Sequence, residues 1–168
     1  MANMTEEQAP YHRPSCDEYF LEIARVVGKR GTCDRGRIGV VLVKDKRILA
    51  TGYVGSPVGM EHCDEIGHQM NKVTHEDGTV SQHCIRTSHG EINAICNAAR
   101  YGVSIDGATL YGKFEPCYTC AKAIVNCGIK RVVCEKQYHA ASESRALFER
   151  AGVELVVVTP EIEAYANQ

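Results

Sequence analysis

From Ala108 to Thr159 the chain reads strand, helix, strand, helix, strand without a break. The runs "ATLYGKF" (108–114), "IKRVVCEKQY" (129–138) and "VELVVVT" (153–159) are short and rich in β-branched and aromatic residues. Between them, Pro116 to Cys127 and Ser142 to Ala151 carry helical spacing, and each helix is stopped by a glycine, Gly128 and Gly152. Strands separated by helices are joined by crossovers rather than hairpins, so this half predicts parallel strands with helices covering both faces of one sheet.

The first half adds two further strands and two helices. Cys16, Phe20, Ile23, Ala24 and Val27 recur at helical spacing after Pro14; Ser15 and Glu18 have capping-box spacing, and Gly28 ends the helix. "RIGVVLVKDKRILATGY" predicts an antiparallel hairpin of Ile38 to Lys44 and Arg47 to Tyr53. Ser88 to Tyr101, with Ile92, Ile95, Cys96 and Ala99 on one face, predicts a helix ending at Gly102. The expected fold is therefore α/β: a three-layer α/β/α sandwich around a five-stranded mixed sheet. The expected domain spans 13–160, between a loose arm over 1–12 and a polar tail over 161–168. Gly55 to Thr87 has no sustained period and is crowded with Gly, Asp, Cys and His. It is too long for an idle loop in a compact domain, so it is expected to be tied down or functional.

A chain of 168 residues, 44% hydrophobic and 24% charged, buries enough surface to fold without disulfides or metal. Any metal must then be justified by chemistry. A net charge of −2 gives no overall bias toward nucleic acid or anionic membrane. The nine cysteines are an odd number, no leader is recognisable, and no apolar run approaches the roughly 18 residues of a membrane span. A cytoplasmic, reducing setting is expected, in which closely spaced cysteines are more often ligands or catalytic groups than disulfides.

Two motifs carry that chemistry. "TSHGEINAI" sets His89 and Glu91 at the start of one predicted helix, and "EPCYTC" sets Cys117 and Cys120 at the start of the next. Helix starts that follow strands gather at one edge of an open α/β sheet, so His89, Cys117 and Cys120 can converge on one ion. Three N/S ligands leave a fourth zinc position for water, the arrangement of a catalytic site, with Glu91 as general acid/base. Alone, each piece has a blander reading. Ser88 and Glu91 also have capping-box spacing, and a lone C-x-x-C also suits a redox pair. The joint pattern H-x-E and P-C-x-x-C is that of zinc nucleobase deaminases. A noncatalytic zinc module, in which Glu91 only caps a helix, is the alternative from another class.

From Arg13 to about Val158 the sequence resembles the cytidine deaminase superfamily, and within it the deoxycytidylate (dCMP) deaminases. The resemblance rests on "RPSCDEYFLEIA", "KRGTCDRGRIGVVLV", "TGYVGSPVGMEHCDEIGH", "HCIRTSHGEINAI", "LYGKFEPCYTCAKAIVNCGIKRVV" and "QYH". The Gly-Ser-Pro loop and the Cys/His-rich insertion separate it from the tRNA adenosine deaminases that it also resembles. The resemblance implies hydrolysis of dCMP to dUMP and ammonia, for thymidylate supply, with zinc activating the water that attacks C4 and Glu91 handling protons. It places Arg30 and Tyr138 near the substrate phosphate. Another cytosine nucleotide, or a base within nucleic acid, is the alternative substrate; neutral charge and few aromatics argue against the second.

Two departures stand out: Gly90 where the family usually has Ala, and Val54 where it typically has an Asn linked to the effector site. The resemblance also implies a homo-oligomer, often a hexamer, activated by dCTP with Mg²⁺ and inhibited by dTTP, with Arg100 at an effector-linked helix position. Some members hold a second, structural zinc. The expected set here is Cys33, Cys63, His68 and Cys84, with His75 or His83 as replacements for His68; packed or solvent-facing residues are the competing reading. Cys127 and Cys134 are expected in the core.

Overall fold

The computed structural model describes residues 11–74 and 80–162. Its centre is a five-stranded sheet in the order β2-β1-β5-β6-β7, formed by β1 (Gly39–Lys44), β2 (Arg47–Tyr53), β5 (Thr109–Phe114), β6 (Arg131–Gln137) and β7 (Glu154–Ile162). β1 runs antiparallel to both β2 and β5, whereas β5, β6 and β7 run parallel. The mixed sheet and its five strands are those expected. β7 continues through Glu161 and Ile162, two residues assigned to the tail, while 1–10 and 163–168 lie outside the described residues.

β1 shows why the sheet is central. Five consecutive residues, Gly39 to Val43, are buried, because the two faces of this strand feed two cores. Val40 and Leu42 join Leu110, Val132, Ile124 and Phe148 on one side; Val41 and Val43 join Phe20, Leu21, Tyr111 and Val133 on the other. α1 (Cys16–Gly28) covers the second side, with the expected Ser15/Glu18 capping box at its start. α3 (Gly90–Arg100), α4 (Tyr118–Asn126) and α5 (Ser142–Ala151) cover the first. The two crossover helices α4 and α5 thus share one face. Strand order moves steadily outward from β5 to β7, and right-handed crossovers stepping the same way deposit their helices on the same side.

The stretch after Gly55 is tied down, as its length requires. Its two ends are clamped together by paired backbone bonds, Gly55 N–H to Ser88 O and Ser88 N–H to Gly55 O, at 3.2 and 2.9 Å. Within it the structure forms a one-turn helix α2 (Cys63–Ile66) and a separate two-stranded ribbon, β3 (Met70–Thr74) against β4 (Val80–Cys84). No strand was expected there. The ribbon stands outside the main sheet, and a lone two-stranded ribbon gives little of the core-facing alternation by which strands are read from sequence.

Candidate active site

The site lies where strand ends and helix starts meet. His89 is the N-cap of α3 and Cys117 the N-cap of α4, which follows the carboxyl end of β5. Because β1 is antiparallel to β5, Ile38 at its beginning reaches the same edge, as does Tyr138 just past β6. Ligand crevices of open α/β sheets form at the carboxyl ends of parallel strands, and the pocket here follows that rule.

His89 Nδ1 lies 3.5 Å from Cys117 Sγ and 3.5 Å from Cys120 Sγ. The fit to zinc can be tested on these distances. A tetrahedral ion with Zn–S near 2.3 Å and Zn–N near 2.05 Å separates its nitrogen and sulfur ligands by about 3.6 Å. The three atoms are therefore spaced as ligands of one ion. The Cys120 thiol and His89 together pull the Cys117 pKa down to about 4. Cys117 in turn raises His89 to about 9, and Cys120 is pushed up as the partner that keeps its proton. The N-terminal ends of α3 and α4 reinforce negative charge at this point.

Glu91 is only 8% exposed and borders the same pocket. Burial raises its pKa, with the nearby His89 pulling the other way. The capping-box alternative does not describe it: the N-cap of α3 is His89 rather than Ser88, so Glu91 occupies the second helical position. The start of α3 is set close against the sheet at Gly90. A Cβ on Gly90 would meet Val40 Cγ2 at 3.2 Å and Ile38 O at 3.3 Å, so the family's alanine would be a tight fit in this chain.

A second cluster forms one wall of the pocket. Ligand atoms of Cys33, Cys63, His68 and Cys84 all lie within 4.8 Å of one another, with Cys33 Sγ to His68 Nδ1 at 3.7 Å and Cys63 Sγ to Cys84 Sγ at 3.5 Å. About 3.8 Å is expected between two thiolates on a tetrahedral zinc, so this set also has ligand spacing. His68 turns its other nitrogen, Nε2, to Asp34 Oδ1 at 3.0 Å, the carboxylate partner usual behind a metal-binding imidazole. Cys33 and Cys84 border the pocket together with His89, Glu91 and Cys117.

Residues 14–136 match the family described as "Cytidine and deoxycytidylate deaminase zinc-binding region". The chain belongs to this deaminase family. It is 38% identical over 141 residues to the ComE operon protein 2 of Bacillus subtilis, covering 84% of this chain and 70% of that protein. It is 39% identical over 127 residues to the deoxycytidylate deaminase of Mycobacterium phage D29, covering 74% of this chain and 98% of the phage enzyme. The chain spans 44% of the length of the Schizosaccharomyces pombe deoxycytidylate deaminase, to which it is 39% identical over 143 residues, 85% of this chain. Among solved structures, the dCMP deaminase of cyanophage S-TIM5 in complex with dCMP and dUMP superposes with a TM-score of 0.67 at 26% identity, covering 91% of this chain and all of that one (100%).

The remaining expectations for a member of this deaminase family divide by position. Tyr138 lines the pocket; Arg30 and Arg100 are exposed and are not among the lining residues. Arg35 borders the pocket instead, its guanidinium donating to Gln82 O at 3.1 Å. Of the three histidines considered for the fourth position, His68 lies with the three cysteines, His83 borders the pocket, and His75 lies outside the described residues. Cys134 is fully buried and Cys127 packs against the same core. Sequence reasoning missed Asp34, Arg35 and Glu115. The carboxylate of Glu115, wedged between a strand and Pro116 in "FEPC", carried a readable signal: a charge where the chain is about to be buried.

Proposed function

We propose that the chain is a zinc-dependent hydrolase that converts dCMP and water to dUMP and ammonia, so providing dUMP for thymidylate synthesis. The observation that carries the reading is the 3.5 Å spacing of His89 Nδ1 from both Cys117 Sγ and Cys120 Sγ, beside a buried Glu91. Zinc held by these three residues supplies a Lewis acid that brings the ionisation of a water close to neutral pH. Glu91 then does the proton work. Its carboxylate takes a proton from the attacking water and gives it to N3 as the new C4–O bond forms; it next takes the remaining proton of the new C4 hydroxyl and delivers it to the amino nitrogen, so that the C4–N bond breaks, C4=O forms and ammonia leaves. Likeness to enzymes named deoxycytidylate deaminase, and to one solved with dCMP and dUMP, supports the choice of substrate.

The set of Cys33, Cys63, His68 and Cys84 is proposed as a structural zinc site, closed because all four positions are filled by protein. Phosphate recognition falls to Tyr138 and Arg35 on the pocket wall, in place of the exposed Arg30. Any activation by dCTP with Mg²⁺ or inhibition by dTTP, and any role for Arg100 in either, would act in this chain without one amide contact. The amide that the resemblance associates with effector binding is replaced by Val54, buried against Cys33 and Cys63. A homo-oligomer, with the hexamer as its size, is proposed with the family; exposed Tyr19, Tyr101 and Tyr118 support it. A cytoplasmic setting is proposed with it, and among the described residues no helix is long and apolar enough to cross a membrane.

Ammonia release with dCMP, dCTP, deoxycytidine and single-stranded DNA offered in parallel tests the assignment. Preference for dCMP is expected; turnover of DNA alone would overturn it.

A further inference from the structure

Glu115 is a buried carboxylate that the deamination step does not use. Its side chain is 1% exposed, yet it borders the pocket two residues before Cys117. Three donors converge on it: the backbone N–H of Tyr138 at 2.9 Å, Arg145 Nε at 2.7 Å and a terminal Arg145 nitrogen at 2.6 Å. A carboxylate taken out of water is tolerated only when paired and hydrogen-bonded, and the two-pronged arginine supplies that from α5.

The position explains the arrangement. Glu115 N–H donates to Lys136 O at 3.3 Å, beyond the last β5–β6 register pair, Phe114 with Lys136. The next residue of that edge is Pro116, which has no N–H to offer. The main-chain ladder gains no donor there, and the Tyr138 N–H past the end of β6 is accepted by the Glu115 side chain rather than by main chain. One carboxylate thus ties the turn carrying Cys117 to the aromatic wall at Tyr138 and to α5.

We infer that Glu115, held by Arg145, is a positioning residue that sets the distance between the Cys117 turn and Tyr138, and so the width of the nucleotide pocket. The inference rests on the reading of that pocket as the cytosine-nucleotide site. It assigns Glu115 to substrate fit rather than to metal retention.

The test is a double-mutant cycle on the zinc-loaded enzyme. Glu115→Gln keeps the shape but loses the charge, and is expected to raise KM for dCMP and the calorimetric Kd for dUMP by about tenfold, as for one charged hydrogen bond, with kcat and zinc content near wild type. Tyr138→Ala is expected to raise both constants as well. In that background Glu115→Gln should add less than about twofold, because the group through which it acts is gone. Arg145→Gln, altering the 44% exposed end of the pair, is expected to follow Glu115→Gln and decides the matter if the first variant does not fold. Unchanged KM and Kd, effects that multiply in full with Tyr138→Ala, or loss of zinc as the main consequence would each overturn the inference. An enzyme that prefers another cytosine nucleotide would sink the substrate reading alone, since the same ratios measured with that nucleotide still decide the role of Glu115.

Discussion

Gly52 of β2 lies directly beneath Ala94 of α3, so close that a Cβ at position 52 would stand 2.2 Å from the Ala94 nitrogen and 2.3 Å from Gly90 O. Both obstacles are helix backbone, which cannot swing aside as a side chain can. The helix that presents His89 and Glu91 is therefore seated on the sheet through one missing side chain. Gly52→Ala is expected to destabilise the protein by about 1–3 kcal/mol, the range for forced overpacking, and to lower activity by lifting the start of α3. A urea midpoint equal to wild type would count against this account of the seating.

Glu91→Gln isolates the proton transfer from the metal site. The amide fills nearly the same buried volume and leaves His89, Cys117 and Cys120 themselves in place. Ammonia release from dCMP is expected to fall by about 10²–10⁴-fold, the usual contribution of a positioned acid/base. Zinc content and thermal stability should stay at wild-type levels. A variant that retained zinc and wild-type turnover would remove Glu91 from the proton transfer; zinc without ammonia release in the wild type itself would leave the noncatalytic module as the reading.

The five strands of the main sheet were legible because they are short β-branched runs, strongly buried in β1, β5 and β6, and because the helices between them have clear stops. Gly128 and Gly152 end α4 and α5 in positive-φ conformations, at 77° and 67°. The convergence of His89 with Cys117 and Cys120 was legible for a related reason: residues at helix starts after strands have few places to go. What stayed hidden depends on tertiary contact. The β3–β4 ribbon forms a two-stranded sheet of its own, and its register is fixed by pairing such as Met70 with Cys84 rather than by a pattern. Asp34 and Glu115 look like ordinary acids until His68, Tyr138 and Arg145 are brought to them from 34, 23 and 30 residues away. Arg30 and Arg35 could not be told apart at a distance of five residues; the fold turns one to solvent and the other to the pocket.

Cys63→Ser tests the second cluster. Cys63 is buried and couples α2 to β4 through its 3.5 Å approach to Cys84, so loss of a ligand releases both the insertion and one wall of the pocket. Metal content is expected to fall from about two zinc ions per chain to about one, as for a closed four-ligand site that has lost a donor. The melting temperature should fall with it. A wild-type protein carrying a single zinc would remove the structural site from the proposal.

Asp17 fixes α1 to the sheet and gives the fold a titratable fastening. Its two carboxylate oxygens accept from Arg131 at 2.8 and 2.9 Å, and one also accepts from Tyr111 O–H at 2.9 Å. The Arg131 fork, opposed by partial burial, holds the carboxyl below its ordinary value. A folded-state pKa below the unfolded one means that the unfolded chain binds more protons in the interval between them, so stability rises with pH through that interval. The contribution is fully present above the unfolded value near 3.8 and is lost as pH falls toward the folded one. Asp17→Asn is expected to lower stability at neutral pH by about 1–2 kcal/mol, a charged hydrogen bond discounted for an aspartate that is 34% exposed. Urea midpoints measured from pH 7 down to about 3 should then fall less steeply in the variant than in wild type below about pH 5. Parallel curves displaced by a constant amount would show that Asp17 contributes shape and hydrogen bonding but no proton-linked stability.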